Sequence, residues 1–289
     1  MKLTSNKITA NFFWHGSELS IYEKVCLRSF LKSGFKVVVY SFKKITLPKN
    51  IIFRDANTIL KKSEIKKFIH GGKKGCLAAY SDKFRILLQK KKLGWWFDLD
   101  IICLKNFKYF NKLEKNKKII IGYETKYKVN NAVLKVNNPI FINEILEEIN
   151  KIGYKFRWGE IGPILFTNFL KKKNLKSEIL NKKFFYPINY ENIEILLDPK
   201  KIKDAIKLIK TSYTLHLYNQ ILNRIGLPKN ILPPKNSYLY NLMIKISPEY
   251  KKLQTLPVTT FYKLLNKKNG FKENLFDLIP SFLRAIRRF

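Results

Sequence analysis

Residues 80–105, YSDKFRILLQKKKLGWWFDLDIICLK, constrain the chain more than any other stretch. Leu77, Tyr80, Phe84, Leu87 and Leu88 recur at helical spacing. Lys90, Lys91 and Lys92 fall in the last turn, where cations suit the helix dipole, and Gly94 is placed to stop it. Trp95, Trp96 and Phe97 start a strand that Ile101, Ile102 and Leu104 continue. Asp98 and Asp100 interrupt that apolar run. At strand spacing, positions i and i+2 share a side, so the two carboxylates leave the sheet together while Leu99 faces the other way. Two such acids repel unless a positive charge sits between them, and a hard divalent cation with oxygen ligands fits there. Mg²⁺ and Mn²⁺ so held keep positions open for water and phosphates. An isolated Asp-x-Asp is also what two solvated aspartates on a surface turn look like. The apolar flanks, WWF before and IIC after, are not needed by a solvated turn.

The same stretch resembles the sugar-binding, DxD-containing region of bacterial and eukaryotic glycosyltransferases, the capsule, lipopolysaccharide and alpha-1,4-galactosyltransferase-like enzymes. Those have a Ser-Asp-x-x-Arg helix, a glycine stop and an aromatic run into Asp-x-Asp. The matching residues here are Ser81, Asp82 and Arg85, then Gly94, Trp95 and Trp96, then Asp98, Leu99 and Asp100. Where the family often has a first glycine this chain has Leu93, a departure that touches the turn and not the chemistry. The resemblance implies an α/β fold of the GT-A type, a Rossmann-like nucleotide-diphospho-sugar transferase fold with a mixed, mostly parallel central sheet. It also implies a UDP-sugar donor, a divalent cation (Mn²⁺ or Mg²⁺) and retention of anomeric configuration.

The opening of the chain agrees with that class. Residues 8–14 read as a strand, 19–31 as a helix stopped by Gly34, and 35–40 as a second buried strand, the start of a parallel sheet. Ligands of such sheets sit beyond the carboxyl ends of the strands, which places His15, Gly16 and the Ser41 region at a nucleotide pocket. The order WHG, SxxE, SFLKSGFKVVVYSF also resembles the start of the same glycosyltransferases, although His15 is equally a plain loop histidine. Residues 51–53 make a short strand, and 61–74, with His70, Gly71 and Gly72, read as a solvated connector or a loop over the site. On the central helix, Asp82 and Arg85 share a face. That is either an ordinary surface ion pair or, as the resemblance implies, a pair that meets donor hydroxyls.

Strands at 118–123 and 132–136, a helix at 139–149 and a loop-to-helix segment at 157–170 follow. Asn131 is a turn former or, by resemblance, a residue facing the donor sugar. Glu160 is the carboxylate nearest the Gly-Pro segment that the family has on its acceptor side, so the resemblance makes it a catalytic candidate with Asp100. Residues 184–188 and 213–217 read as late strands. His216 on the second matches a family position where imidazole joins the two aspartates at the metal, and imidazole suits Mn²⁺ better than Mg²⁺. Otherwise it is a core histidine.

The 289 residues carry a formal charge of +36. That suggests nucleic acid, but the basic residues are mostly Lys, spread along the whole chain, whereas base-edge readers lean on Arg. Nucleic acid is therefore an unlikely partner, though the field will draw phosphates, anionic lipids and acidic glycans. Cys26, Cys76 and Cys103 have no metal or disulfide spacing and read as reduced core thiols of a cytosolic protein. The first residues show no signal-peptide pattern, and no window is long and apolar enough to span a bilayer. The expected layout is a catalytic domain over 1–250 and a basic amphipathic helical extension over 251–289. Its end, 274–289, would lie on its own domain or on an anionic membrane surface, which places the protein in the cytoplasm, with a peripheral position at the membrane as the second option. The expected activity is transfer of a sugar to a glycan or lipid-linked acceptor. The rivals are a nucleic-acid-binding protein and a DxD metal-dependent phosphotransferase or hydrolase.

Overall fold

The computed structural model describes residues 7–266. Of the expected extension over 251–289, the amphipathic end at 274–289 lies outside the described residues. They divide into two compact units, one within Met1–Asn189 and Lys207–His216, the other within Tyr190–Ile206 and Leu217–Phe289. No helix among them is long and apolar enough to cross a membrane.

The chain begins with β1 (Thr9–Phe13), α1 (Ile21–Lys32), β2 (Lys36–Ser41) and β3 (Ile52–Asp55). Ser20 and Glu23, the SxxE of the sequence, form a capping box that fixes where α1 starts. A small hairpin of β4 (Ile69–His70) and β5 (Lys73–Lys74) follows, turning at Gly71 and Gly72, both at positive φ. The segment expected as a plain connector is therefore structured. Then come α2 (Leu77–Lys90), β6 (Trp95–Phe97), β7 (Ile101–Cys103), α3 (Phe107–Asn116), β8 (Ile119–Tyr123), β9 (Val129–Val136), α4 (Pro139–Ile152) and α5 (Pro163–Lys172). Further on are β10 (Ile179–Leu180), α6 (Lys182–Phe185), α7 (Ile202–Ile209), β11 (Thr214–His216), α8 (Asn219–Arg224) and α9 (Tyr238–Ile246).

Seven strands form one sheet in the order β10-β8-β9-β6-β1-β2-β3. Its pairs are parallel except those that β9 makes with β6 and β8. This is the mixed, mostly parallel α/β sheet the sequence leads one to expect. Alternate residues serve opposite faces. Val38, Tyr40, Trp96, Ile119 and Ile121 pack with apolar residues of α2, α4 and α5. Val37, Val39, Trp95, Phe97 and Ile120 pack with Leu27 and Phe30 of α1 and Phe107 and Phe110 of α3. The WWF run thus fills both cores at once.

Two expectations need correction. Residues 184–188 do not form a strand: α6 occupies 182–185, with Asn181 capping it by accepting from the Lys183 N–H. The strand expected to run from Trp95 to Leu104 is broken in two. β6 ends at Phe97, and the Ile101 N–H donates to the Asp98 carbonyl at 3.0 Å, closing a four-residue turn. β7 then leaves the main sheet and pairs antiparallel with β11.

In the second unit, the Ser237 side chain caps α9 by accepting from the Tyr240 N–H. There Tyr262 Oη donates to Asp198 Oδ1 at 2.9 Å.

Candidate active site

The corner between α2 and β6 sets the position of the acidic pair. Gly94 has φ +115°, and a Cβ there would stand 2.6 Å from the Thr9 carbonyl oxygen, so β1 and the corner approach too closely for a side chain. Asn11 Nδ2 donates to the carbonyls of Leu93 and Trp95 at 3.0 and 2.9 Å. Gln89 bridges the same corner to β9, donating to the Gly94 carbonyl and accepting from the Val136 N–H. Neither Asn11 nor Gln89 carries a local sequence signal, because each acts only through strands far away in the chain.

β1, β2 and β6 are parallel, so Trp14, Ser41 and Asp98 lie at the same edge of the sheet. β9 is antiparallel to β6 and brings its amino end, with Asn130 and Asn131, to that edge. The Asp98 N–H donates to the Ala132 carbonyl at 2.8 Å. The turn at 98–101, and not the pleat of a strand, holds both carboxylates on one side, while Leu99 is buried in the apolar core. His216 on β11 pairs in register with Ile101 on β7, which carries its imidazole to the turn. Its Nε2 lies 3.2 Å from Asp100 Oδ1. One ligand atom from each of Asp98, Asp100 and His216 falls within 4.8 Å of the others. Two carboxylate oxygens and one imidazole suit a divalent cation. Among the described residues this is the group with that property.

Arg85 organises the rest and is 4% exposed. Its Nη1 donates to the Asn131 carbonyl at 2.7 Å, its Nε to the Ser81 carbonyl at 3.2 Å, and its Nη2 reaches Asp98 Oδ1 at 3.1 Å and Asp82 Oδ1 at 3.4 Å. The guanidinium also sits 5.1 Å from the Trp96 ring centroid, and Trp96 Nε1 donates to Asp98 Oδ1 at 2.7 Å. Asp82 and Arg85 are thus a buried pair and not a surface one. Asn131 lies inside β9, 1% exposed, not in a turn, and its Nδ2 donates to Asp82 Oδ1 at 2.9 Å.

Burial pushes the Asp82 carboxyl up to about 6, against the pull of Arg85 and the Asn131 hydrogen bond. Burial and then the neighbouring Asp100 raise Asp98, with Arg85 opposing. For His216, burial disfavours the imidazolium, but Asp100, with Asp98 and Glu124 behind it, outweighs burial and holds the pKa above its ordinary value.

The Asp82 shift makes a signed prediction. A carboxyl raised in the fold contributes stability that is full below its unfolded value, near 4, and lost as pH rises through about 6. Two units correspond to about 3 kcal/mol. Asp82→Asn keeps an acceptor for Asn131 and removes the buried charge. It is expected to raise Tm at pH 7.5 by several degrees and to change it much less at pH 4.5. A variant that melts below wild type at both pH values would show that the ionised Asp82 stabilises the fold.

The remaining sequence candidates fall at or beside this edge. His15 is exposed after β1, its ring 5.7 Å from that of Phe42. Burial and the nearby cations Lys62 and Lys43 lower its pKa. Trp14 Nε1 beside it is buried with no hydrogen-bond partner among the described residues, and a Cβ on Gly16 would stand 2.9 Å from that nitrogen. Gly162, at the start of α5, touches Asp82: a Cβ there would lie 2.4 Å from Asp82 Oδ2. The loop bearing Glu160 therefore abuts the buried pair. Glu160 Oε2 accepts from the Arg157 N–H at 2.6 Å, which shapes that loop. Sequence reasoning missed Tyr186, whose Oη accepts from the Val133 N–H and donates to the Asn130 carbonyl, both at 2.9 Å. Its ring centroid lies 5.9 Å from that of His216.

Fold and site together define an α/β protein with a metal-competent Asp-x-Asp turn at the carboxyl edge of its parallel strands. Residues 137–248 match the family model described as the alpha 1,4-glycosyltransferase conserved region. The match begins after Asp98, Asp100 and Asn131 and includes Glu160, Gly162 and His216. No curated protein matches by sequence. Among solved structures the chain is similar to the PaToxG glycosyltransferase, at 17% identity over 85% of each chain, with a TM-score of 0.42. It is similar to apo mouse xyloside xylosyltransferase 1 at 11% identity over 73% of this chain and 97% of that one, with a TM-score of 0.39. It is also similar to apo GlyE of Streptococcus pneumoniae at 11% identity, covering 92% of this chain but only 64% of that one, with a TM-score of 0.44.

Proposed function

We propose that this chain is a glycosyltransferase of the GT-A type that moves a sugar from a UDP-sugar to a glycan or lipid-linked oligosaccharide, using Mn²⁺ or Mg²⁺. The observation that carries the reading is the meeting of Asp98, Asp100 and His216 at the carboxyl edge of the sheet. The glycosyltransferase region that supplies His216 supports it.

In this reading Asp98, Asp100 and His216 hold the cation. When bound, it supplies the Lewis-acid charge that stabilises the departing diphosphate. Arg85 and Trp96 lock the Asp98 carboxylate, so little reorganisation is needed as charge develops. His15 and Gly16, with Lys43 and Lys62 close to His15, receive the nucleotide, and the orphan Trp14 N–H offers a donor there. Asp82 and Asn131, buried and held by Arg85, form the wall behind the donor sugar. Glu160 orients the acceptor hydroxyl. Retention is carried over from the family resemblance: the acceptor oxygen would bond to the anomeric carbon on the face the diphosphate leaves, and the departing phosphate oxygen would take the acceptor's proton. Cys26, Cys76 and Cys103 form no disulfide, which fits a cytoplasmic setting.

The test is a thermal-shift panel of nucleoside diphosphate sugars with Mn²⁺, Mg²⁺ or EDTA. A ligand at a hundred times its Kd stabilises by about 2.7 kcal/mol, so a UDP-sugar is expected to raise Tm by several degrees with Mn²⁺ and not at all in EDTA. No shift with any donor, beside a clear shift with oligonucleotides, would overturn the reading. Release of phosphate from nucleotides with no dependence on a sugar acceptor would instead point to a hydrolase.

A further inference from the structure

A ladder of aromatic rings runs from the core to the surface through the β4–β5 hairpin. Ile69 bridges in parallel register to Lys155, so His70 lies beside Phe156. Tyr80 and Phe68 are buried, with ring centroids 6.2 Å apart. Phe68 to Phe156 is 6.1 Å, Phe156 to His70 is 6.1 Å with planes 16° apart, and His70 to Trp158 is 5.4 Å. His70 Nδ1 lies 3.3 Å from the Phe156 carbonyl oxygen, which fixes its ring. Trp158, at the outer end, is 48% exposed. Tyr154 and Ile164 are exposed near it in the chain, at 37% and 41%. An indole this exposed gains little from burial, and the rings behind it fix its orientation.

The platform is tied to the proposed catalytic edge. Trp158 stands four residues before Gly162, a span of at most about 14 Å. Gly162 is the residue pressed against Asp82, which Arg85 links to Asp98. A ring bound on Trp158 therefore lies within a short oligosaccharide's reach of the reaction centre. Sugars present one face of C–H groups, which packs on the face of an aromatic ring, with hydroxyls at the rim for polar neighbours. His70 and Glu160 are such neighbours in the ladder and the loop.

We propose that Trp158, backed by His70 and Phe156, is a stacking platform for a pyranose ring of the acceptor glycan. It rests on the glycosyl-transfer reading above and adds where the acceptor is held. Saturation-transfer NMR with methyl β-glucoside, methyl β-galactoside and methyl N-acetyl-β-glucosaminide tests it without knowledge of the acceptor. At least one glycoside is expected to receive saturation on its ring C–H protons from the wild type. That transfer should be lost in Trp158→Ala and largely kept in Trp158→Phe. Both variants should melt within a few degrees of wild type, since the ring is half exposed, and should bind the UDP-sugar with unchanged affinity. No transfer from the wild type to any of the three glycosides, or equal transfer from wild type and Trp158→Ala, would overturn the platform. Glycoside contacts that depend on Trp158 without any metal-dependent donor binding would leave the platform standing and sink the transferase reading.

Discussion

Asp100→Asn is expected to abolish metal-dependent donor binding and to lower turnover by about a hundredfold to a thousandfold, the loss seen when a preorganised charge at a reaction centre is removed. Asp100 sits on the turn that follows β6, 3.2 Å from His216 Nε2. The amide keeps the shape and loses the anion, so the three-ligand set becomes one carboxylate and one imidazole. The fold should survive. The His216 pKa should fall, because Asp100 is the neighbour that most favours its charged form. The measurement is titration of Mn²⁺ and UDP-sugar into wild type and variant, with a melt of each. Metal-dependent donor affinity unchanged in the variant would remove Asp100 from the cation site.

The second large effect concerns stability. Arg85→Ala removes the guanidinium shared by Asp82 and Asp98 and leaves the buried Asp82 carboxylate and the partly exposed Asp98 carboxylate without it. It also leaves the Asn131 and Ser81 carbonyls without their donor. Removing one partner of a buried pair costs about 3–5 kcal/mol. At 2–4 °C per kcal/mol, the melting temperature should fall by roughly 10 °C. Arg85→Lys restores the charge but not the planar fork that serves Asp82, Asp98, Asn131 and Ser81 at once, so most of the loss should persist. Asp82→Asn placed on Arg85→Ala should recover part of it, by removing one of the stranded charges. If Arg85→Ala melts within about 3 °C of wild type, the pairings here contribute little to the fold.

Much of the centre could be seen in residues 80–105, and the reason is local. The helix spacing of α2, the glycine stop and the WWF run are all short-range patterns, and the structure places α2, the corner and β6 where they point. The misreadings are long-range. The run from Trp95 to Leu104 looks like one strand because every residue but the two aspartates is apolar. It breaks because the Asp98 carbonyl is used in a turn and β7 finds a different partner in β11. The 184–188 segment is apolar enough for a strand, yet Asn181 offers a helix cap and α6 forms. Asn131 reads as a turn former by type, but its place opposite β6 puts it in a strand with its side chain on Asp82.

The sequence by itself determined that this is an α/β chain with an acidic pair set between aromatic and aliphatic runs, because hydrophobic period and glycine punctuation act within a few residues. The family resemblance marked His216 for the metal, but only the tertiary structure decided how a residue over a hundred positions away reaches that pair, through the pairing of β11 with β7. The same holds for Arg85 serving both Asp82 and Asp98, and for Gly162 closing on Asp82. Those contacts depend on strand order and on the antiparallel entry of β9 and β11, and no local pattern encodes which distant strand a given edge will pair with.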